Sequence, residues 1–218
     1  MSRPQTPRTP VQPEHSTLQA RPVSPCFTPG TRIVTAAGEV AVEDLRPGDK
    51  VVTRDSGLQE IAWVGRRALS WADLAANPQL KPVFLAKGSL GRGLPERDMM
   101  LSPDHRLLVD HDRSAALFRE REVLVAARHL GAAQGNPSVD VTGIEYLHFM
   151  FDRHQIVLSD GVWTESFQPS DRVMHGMDEA QRGEILKLFP DLASRKVLAR
   201  FTAARRVLTR RELSLMAS

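Results

Sequence analysis

The 218-residue chain holds one cysteine, Cys26, and it stands where the character of the sequence changes. A thiol placed directly after a peptide carbonyl can attack it and turn the amide into a thioester. The reaction needs a group to take the thiol proton or lower its pKa. It also needs donors for the tetrahedral oxyanion and an acid to protonate the departing amide nitrogen. Histidines, hydroxyls, backbone amides and carboxylates meet these needs without being neighbours in sequence. Ser102 and His105 lie three apart on a polar turn that runs into an apolar strand. Asp152 and His154 lie two apart, ahead of an apolar run that ends at Ser159-Asp160-Gly161. Residues two apart in an extended segment point to the same side.

The elements that must position these groups are short. Residues 1–25 are rich in Pro, Thr, Ser and Gln and read as a disordered or polyproline-like leader. They lack the apolar core of a secretory signal peptide. After Cys26, Thr31–Thr35, Glu39–Val42, Lys50–Arg54 and Leu58–Val64 have the texture of strands. Ala37-Gly38, Pro47-Gly48-Asp49 and Asp55-Ser56-Gly57 turn between them, which predicts an all-β unit with hairpins. Ser70–Asn77 reads as a short helix with Ser70 as its N-cap. Lys81–Ala86, Arg97–Leu101, Leu107–Val109, Glu122–Ala127, Val139–Phe151 and Gln155–Leu158 are further strand candidates. Past Asp171 the texture becomes helical. One helix is expected over Asp178–Leu192, ending at or before Pro190. In the last segment Val197, Phe201, Ala204 and Leu208 fall on one helical face.

Composition narrows the function classes. At 41% hydrophobic and 25% charged, the chain can build one medium core with extensions. No stretch approaches the run of about 18 apolar residues that a membrane span needs. A single cysteine permits no intramolecular disulfide, and the expected compartment is the cytoplasm. His111, His129, His148 and His175 show no metal-ligand spacing and there is no H-E-x-x-H, so neither metal nor cofactor is expected. The loop Gly88–Gly93 (GSLGRG) lacks the G-K-[ST] ending of a phosphate loop. The arginines between residues 195 and 211 read as a solvated face over an apolar stripe, or as a dock for an acidic partner, nucleic acid or a membrane surface. No nucleic-acid motif accompanies them.

Three blocks, in order, carry a family resemblance. The first runs from Cys26-Phe27-Thr28-Pro29-Gly30-Thr31 through Gly38 to Val42-Glu43-Asp44-Leu45-Arg46-Pro47-Gly48-Asp49-Lys50-Val51. The second is Ser102-Pro103-Asp104-His105, similar to a T-x-x-H block with Ser in place of Thr. The third is Tyr146 to Gly161, with Asp152, His154, Ile156 and Val157. Together they resemble the Hint (hedgehog/intein) self-processing module. Gly161-Val162-Trp163-Thr164-Glu165-Ser166-Phe167, with Leu117-Phe118 and Glu122-Val123-Leu124-Val125, looks like its bacterial, non-splicing branch. The expected organisation is a leader over 1–25, a Hint domain over 26–171 and a helical tail over 172–218.

The resemblance implies a horseshoe-like all-β fold and an N–S acyl shift at Cys26. By family role, His105 protonates or strains the Pro25–Cys26 amide, and Ser102 bonds near the oxyanion or orients His105. Asp152 and His154 are candidates for handling the Cys26 proton. Taken alone, Asp152 as a turn cap and His154 as a satisfied core histidine are equally open. The substrate is the chain's own N-terminal segment, and water or an added nucleophile resolves the thioester. Two departures bear on this. The chain has no terminal His-Asn followed by Cys, Ser or Thr, so splicing is not expected. The acyl donor is Pro25, and prolyl carbonyls are often poor electrophiles. The competing reading is therefore an inactive Hint scaffold that serves as a binding or assembly module. The self-processing reading turns on one spatial expectation: the Cys26 sulfur beside the His105 imidazole and close to the Pro25–Cys26 bond, and not sealed in an apolar interior.

Overall fold

The computed structural model describes residues 25–133 and 138–217. Apart from Pro25, the expected leader lies outside the described residues. The chain opens with β1 (Arg32–Thr35) and β2 (Gly38–Ala41), a hairpin, followed by β3 (Lys50–Thr53) and β4 (Gly57–Glu60), a second one. β5 (Trp63–Ser70) leads into α1 (Trp71–Ala76). Ser70 and Asp73 cap that helix reciprocally, each side chain taking the other's backbone N–H. Then come β6 (Val83–Leu85), β7 (Met99–Leu101), β8 (Arg106–Asp110), α2 (Asp112–Phe118), β9 (Glu122–Ala126) and α3 (Ala127–Ala133). β10 (Gly143–Met150), β11 (Ile156–Ser159) and β12 (Val162–Glu165) complete the β-rich part.

Nine strands form one sheet, ordered β13-β9-β8-β12-β11-β1-β3-β4 with β2 beside β1; β13 is the short strand Arg206–Val207. β5 pairs with β10 over eight residues, and β6 with β7. The expected strand Leu58–Val64 is divided in two. Ile61 stays bonded to the Gly48-Asp49 turn, whereas the Ala62 N–H donates to the Met150 carbonyl. The chain leaves one sheet for the other at that point. The main core, which includes Phe27, Ile33, Val51, Leu101, Leu107, Phe149 and Val157, lies where these sheets meet.

The C-terminal part is helical, with α4 (Asp171–Gly176), α5 (Glu179–Leu188), α6 (Arg195–Leu198) and α7 (Arg210–Ala217). α5 falls within the expected helix and stops ahead of Pro190. The expected single stripe through Val197, Phe201, Ala204 and Leu208 does not form. Val197 and Phe201 pack with Trp63, Met150 and Phe167, and Leu208 packs with Val123 and Val125. Between these two docking points the chain becomes β13, which adds in parallel to β9. Arg205 there pairs with Asp55 and Glu122. Tertiary pairing thus overrides a helical period that is real in the sequence.

Candidate active site

Cys26 is positioned through its neighbour. Phe27 bridges β7 and β10, exchanging backbone hydrogen bonds with Leu147 (2.7 and 3.0 Å). Its ring stacks on Phe149 at 5.4 Å. With Phe27 anchored, the Cys26 N–H, which belongs to the Pro25–Cys26 peptide bond, donates to Ser102 Oγ at 2.9 Å. The Ser102 N–H donates to the Cys26 carbonyl at 3.0 Å. On the other side, Cys26 Sγ lies 3.3 Å from His148 Nδ1. The cysteine also clusters with Leu69, Leu74, Leu80 and Tyr146 and is only 3% exposed. Tyr146 gives its hydroxyl proton to the Leu80 carbonyl at 2.6 Å. Burial, with Cys26 close by, pushes that phenol above its ordinary range.

His105 sits in the turn between β7 and β8, held by its N–H on the Ser102 carbonyl and by the Ala127 N–H on its own carbonyl. Its ring meets the Phe27 ring edge-on at 4.4 Å. The ring is fully buried, and neither nitrogen has a hydrogen-bond partner among the described residues. Burial pushes it down to about 4; the Glu165 carboxylate opposes the shift, as does the Cys26 carbonyl more weakly. The ring is therefore neutral near neutral pH. Ser102, Cys26 and His105 are brought together. The sulfur, however, faces His148, and it is the Cys26 backbone that His105 approaches.

His148 is the residue sequence reasoning missed. Its spacing suggests no metal site, yet Tyr146 and His148 lie two apart and so share one side of β10, as Asp152 and His154 would in an extended segment. Its ring lies 5.1 Å from both Trp63 and Phe167. Directly across the ladder stands Gly65. A Cβ there would come within 2.5 Å of His148 Nε2 and closer still to the Trp63 ring, so only glycine leaves room. Trp63 is fixed in turn by its indole N–H on Glu184 of α5, at 3.0 Å. Burial pushes His148 down to about 4, and the nearby Gln181 side chain works against that.

Asp152 and His154 are placed differently. Asp152 is exposed in the loop between β10 and β11. It lines a surface cavity of about 550 Å³ with Arg153, His154 and the Val197–Arg205 stretch. His154 is buried, with one ring nitrogen on Glu165 and the other on the Ala204 N–H. Neither of them is the imidazole or carboxylate in contact with the sulfur; that group is His148. Among the described residues no group of three His, Cys, Asp or Glu side chains is placed to hold a metal ion. No helix among them is long and apolar enough to cross a membrane.

Fold and site together define a β-rich module organised around the cysteine at its entrance. The chain belongs to the Hint domain family, whose match spans residues 25–171. The β-rich fold is the one the resemblance implied, and the helical C-terminal stretch is the one expected from the pattern past Asp171. Among solved structures, the solution structure of a bacterial intein-like domain from Clostridium thermocellum is 17% identical. It has a TM-score of 0.38 and covers 65% of this chain and 97% of that one. A DnaB intein from Synechocystis sp. PCC 6803 is 10% identical, with a TM-score of 0.37, covering 66% and 99%. No curated protein matches the chain.

Proposed function

We propose that this Hint domain processes its own chain through an N–S acyl shift at Cys26 and cleaves on the N-terminal side without splicing. The observation that carries this reading is the seating of Cys26. Its amide N–H rests on a hydroxyl at 2.9 Å and its sulfur lies 3.3 Å from an imidazole. His148 Nδ1 takes the thiol proton as sulfur bonds to the Pro25 carbonyl carbon. The C–N bond then breaks as the Cys26 nitrogen receives a proton from the His105 imidazolium, which is reloaded from solvent. Ser102 keeps the departing nitrogen oriented towards that proton. Burial holds the ring at about 4, so only a small fraction carries this proton at neutral pH. Water or an added nucleophile finally resolves the thioester and releases the segment ending at Pro25. By the family resemblance, Glu165-Ser166 falls in the region where splicing relatives carry their terminal Asn, which supports cleavage alone.

A specific observation favours the second reading, an inactive scaffold that binds or assembles. The Cys26 side chain is walled by Leu69, Leu74, Leu80 and Tyr146, and its acyl donor is a proline. Intact mass of the full chain over hours, with and without hydroxylamine or a thiol, separates the two. Self-processing yields a fragment ending at Pro25. That product is absent in Cys26→Ala and strongly reduced in His148→Ala and His105→Ala. A mass that stays constant under every condition leaves the scaffold reading.

A further inference from the structure

The mechanism above makes no use of Glu165, the last residue of β12, although its carboxylate is fully buried. Oε1 accepts the Arg106 N–H at 2.9 Å. Oε2 lies 3.2 Å from Arg106 Nη1 and 3.1 Å from His154 Nε2. His154 Nδ1 accepts the Ala204 N–H at 2.9 Å. A nitrogen that accepts carries no proton, so the ring proton belongs on Nε2, where it is donated to Glu165. Arg106 also donates to Gln168 Oε1 at 3.0 Å, and Gln168 Nε2 donates to the Phe201 carbonyl at 2.9 Å. Two contacts from the C-terminal segment therefore reach this carboxylate, one through His154 and one through Arg106.

Resting on the self-processing reading, we propose that Glu165 is a positioning residue for His105. The docked segment Phe201–Ala204 completes its hold, so the processing site is whole only when that segment is seated. The geometry supports this in two ways. Arg106 directly follows His105, and its N–H is pinned by Glu165 one residue from the β8–β12 register pair Leu107–Thr164. The backbone that carries the His105 ring consequently has little latitude. The second way is electrostatic. The polar groups that act on the ring come from Glu165 of β12, Arg106 of β8, His154 of the β10–β11 loop and the Cys26 carbonyl. Arg106 opposes a charged ring, and Glu165 is the strongest group favouring one. The proton His105 must deliver to the departing nitrogen is available only as imidazolium, so the carboxylate both aims the acid and helps to load it. A buried carboxylate kept for this purpose must retain all its donors, because losing one leaves charge uncompensated.

The test uses the full chain and two independent readouts. In the first, hydroxylamine-driven cleavage is followed from pH 3.5 to 8 in the parent, Glu165→Gln, Glu165→Asp and Ala204→Pro; the last removes the N–H that His154 accepts. Glu165→Gln should cleave about a hundredfold more slowly, the scale of a misplaced acid. Its rate should fall off at lower pH than the parent's as pH rises. Glu165→Asp should recover part of the loss, and Ala204→Pro should show a smaller loss of the same kind. In the second, ¹⁵N shifts of the His154 ring are read in a Cys26→Ala background, where no cleavage can occur. The parent should show one tautomer with the proton on Nε2, and Ala204→Pro should lose that preference. If the parent cleaves and Glu165→Gln matches it in rate and pH profile, the positioning role is overturned. A His154 tautomer unchanged by Ala204→Pro removes the part assigned to the docked segment. If the parent never cleaves, the self-processing reading falls, while the ring shifts still decide the docked segment's hold on His154. Should Glu165→Gln fail to fold, Glu165→Asp and Ala204→Pro decide the matter on the same readouts.

Discussion

Acid should loosen this protein through its two buried histidines. His105 and His148 are each held at about 4 in the folded chain, against about 6.5 for a free imidazole. Between those values the unfolded chain binds protons that the folded chain refuses. Stability therefore rises with pH across that window and is lost as pH falls from about 6.5 towards 4. Below about 4 both states are protonated and the loss levels off. Each ring accounts for about 2 kcal/mol at pH 5 and about 3 kcal/mol once the loss is complete. The pair together then costs about 4 kcal/mol at pH 5, a large part of the roughly 5–15 kcal/mol that holds a domain folded. Both rings are fully enclosed, so solvent screening does little to reduce this. Urea unfolding at pH 7, 6, 5 and 4.5 measures the effect. Comparison of Cys26→Ala with Cys26→Ala carrying His105→Leu and His148→Leu isolates the histidines from carboxylates. The parent background should weaken steeply from pH 6.5 downward, whereas the leucine variant should stay nearly flat until carboxylates titrate. Equal slopes in both proteins would refute the reasoning.

Other substitutions read individual contacts. Gly65→Ala forces a methyl group against His148 and Trp63. It should cost about 1–3 kcal/mol in thermal unfolding, as overpacked cores do, and slow any cleavage at Cys26. Ser70→Ala removes one half of the reciprocal cap on α1 and should cost about 1 kcal/mol by urea titration. Arg205→Glu replaces the ion pairs to Asp55 and Glu122 with like charges. Limited proteolysis should then cut the C-terminal segment near residues 199–205 faster than in the parent, and an unchanged cutting rate would show that β13 alone retains it. Phe27→Ala removes the ring that anchors Cys26 between β7 and β10 and should cost about 3–5 kcal/mol.

The hairpins were legible because their turns carry glycine where the backbone needs it and their strands alternate. Cys26, Ser102 and His105 stand in blocks that carry the family resemblance, and the fold brings the three together. His148 was hidden for a physical reason. A histidine in an apolar strand such as Tyr146–Phe151 looks like one more core residue until the facing strand is known to offer Gly65, and that pairing spans about eighty positions. The tail shows the opposite error. The helical period of Val197, Phe201, Ala204 and Leu208 is present, but no property of that segment announces that the edge of β9 is open to receive Arg206 and Val207. The role of Glu165 was equally invisible, since its partners arrive from Arg106, His154 and, through His154, Ala204.

The enclosure of Cys26 also makes the thiol a gauge of breathing. Iodoacetamide or peroxide has little access to a residue that is 3% exposed, so modification should wait on a local opening around Cys26. The alkylation rate then equals the reagent's intrinsic rate multiplied by the fraction of molecules momentarily open. Because that fraction is small, the resting chain shields its single thiol, and the shield is built from the bonds of Phe27 to Leu147 and of Cys26 to Ser102 together with the apolar side chains around them.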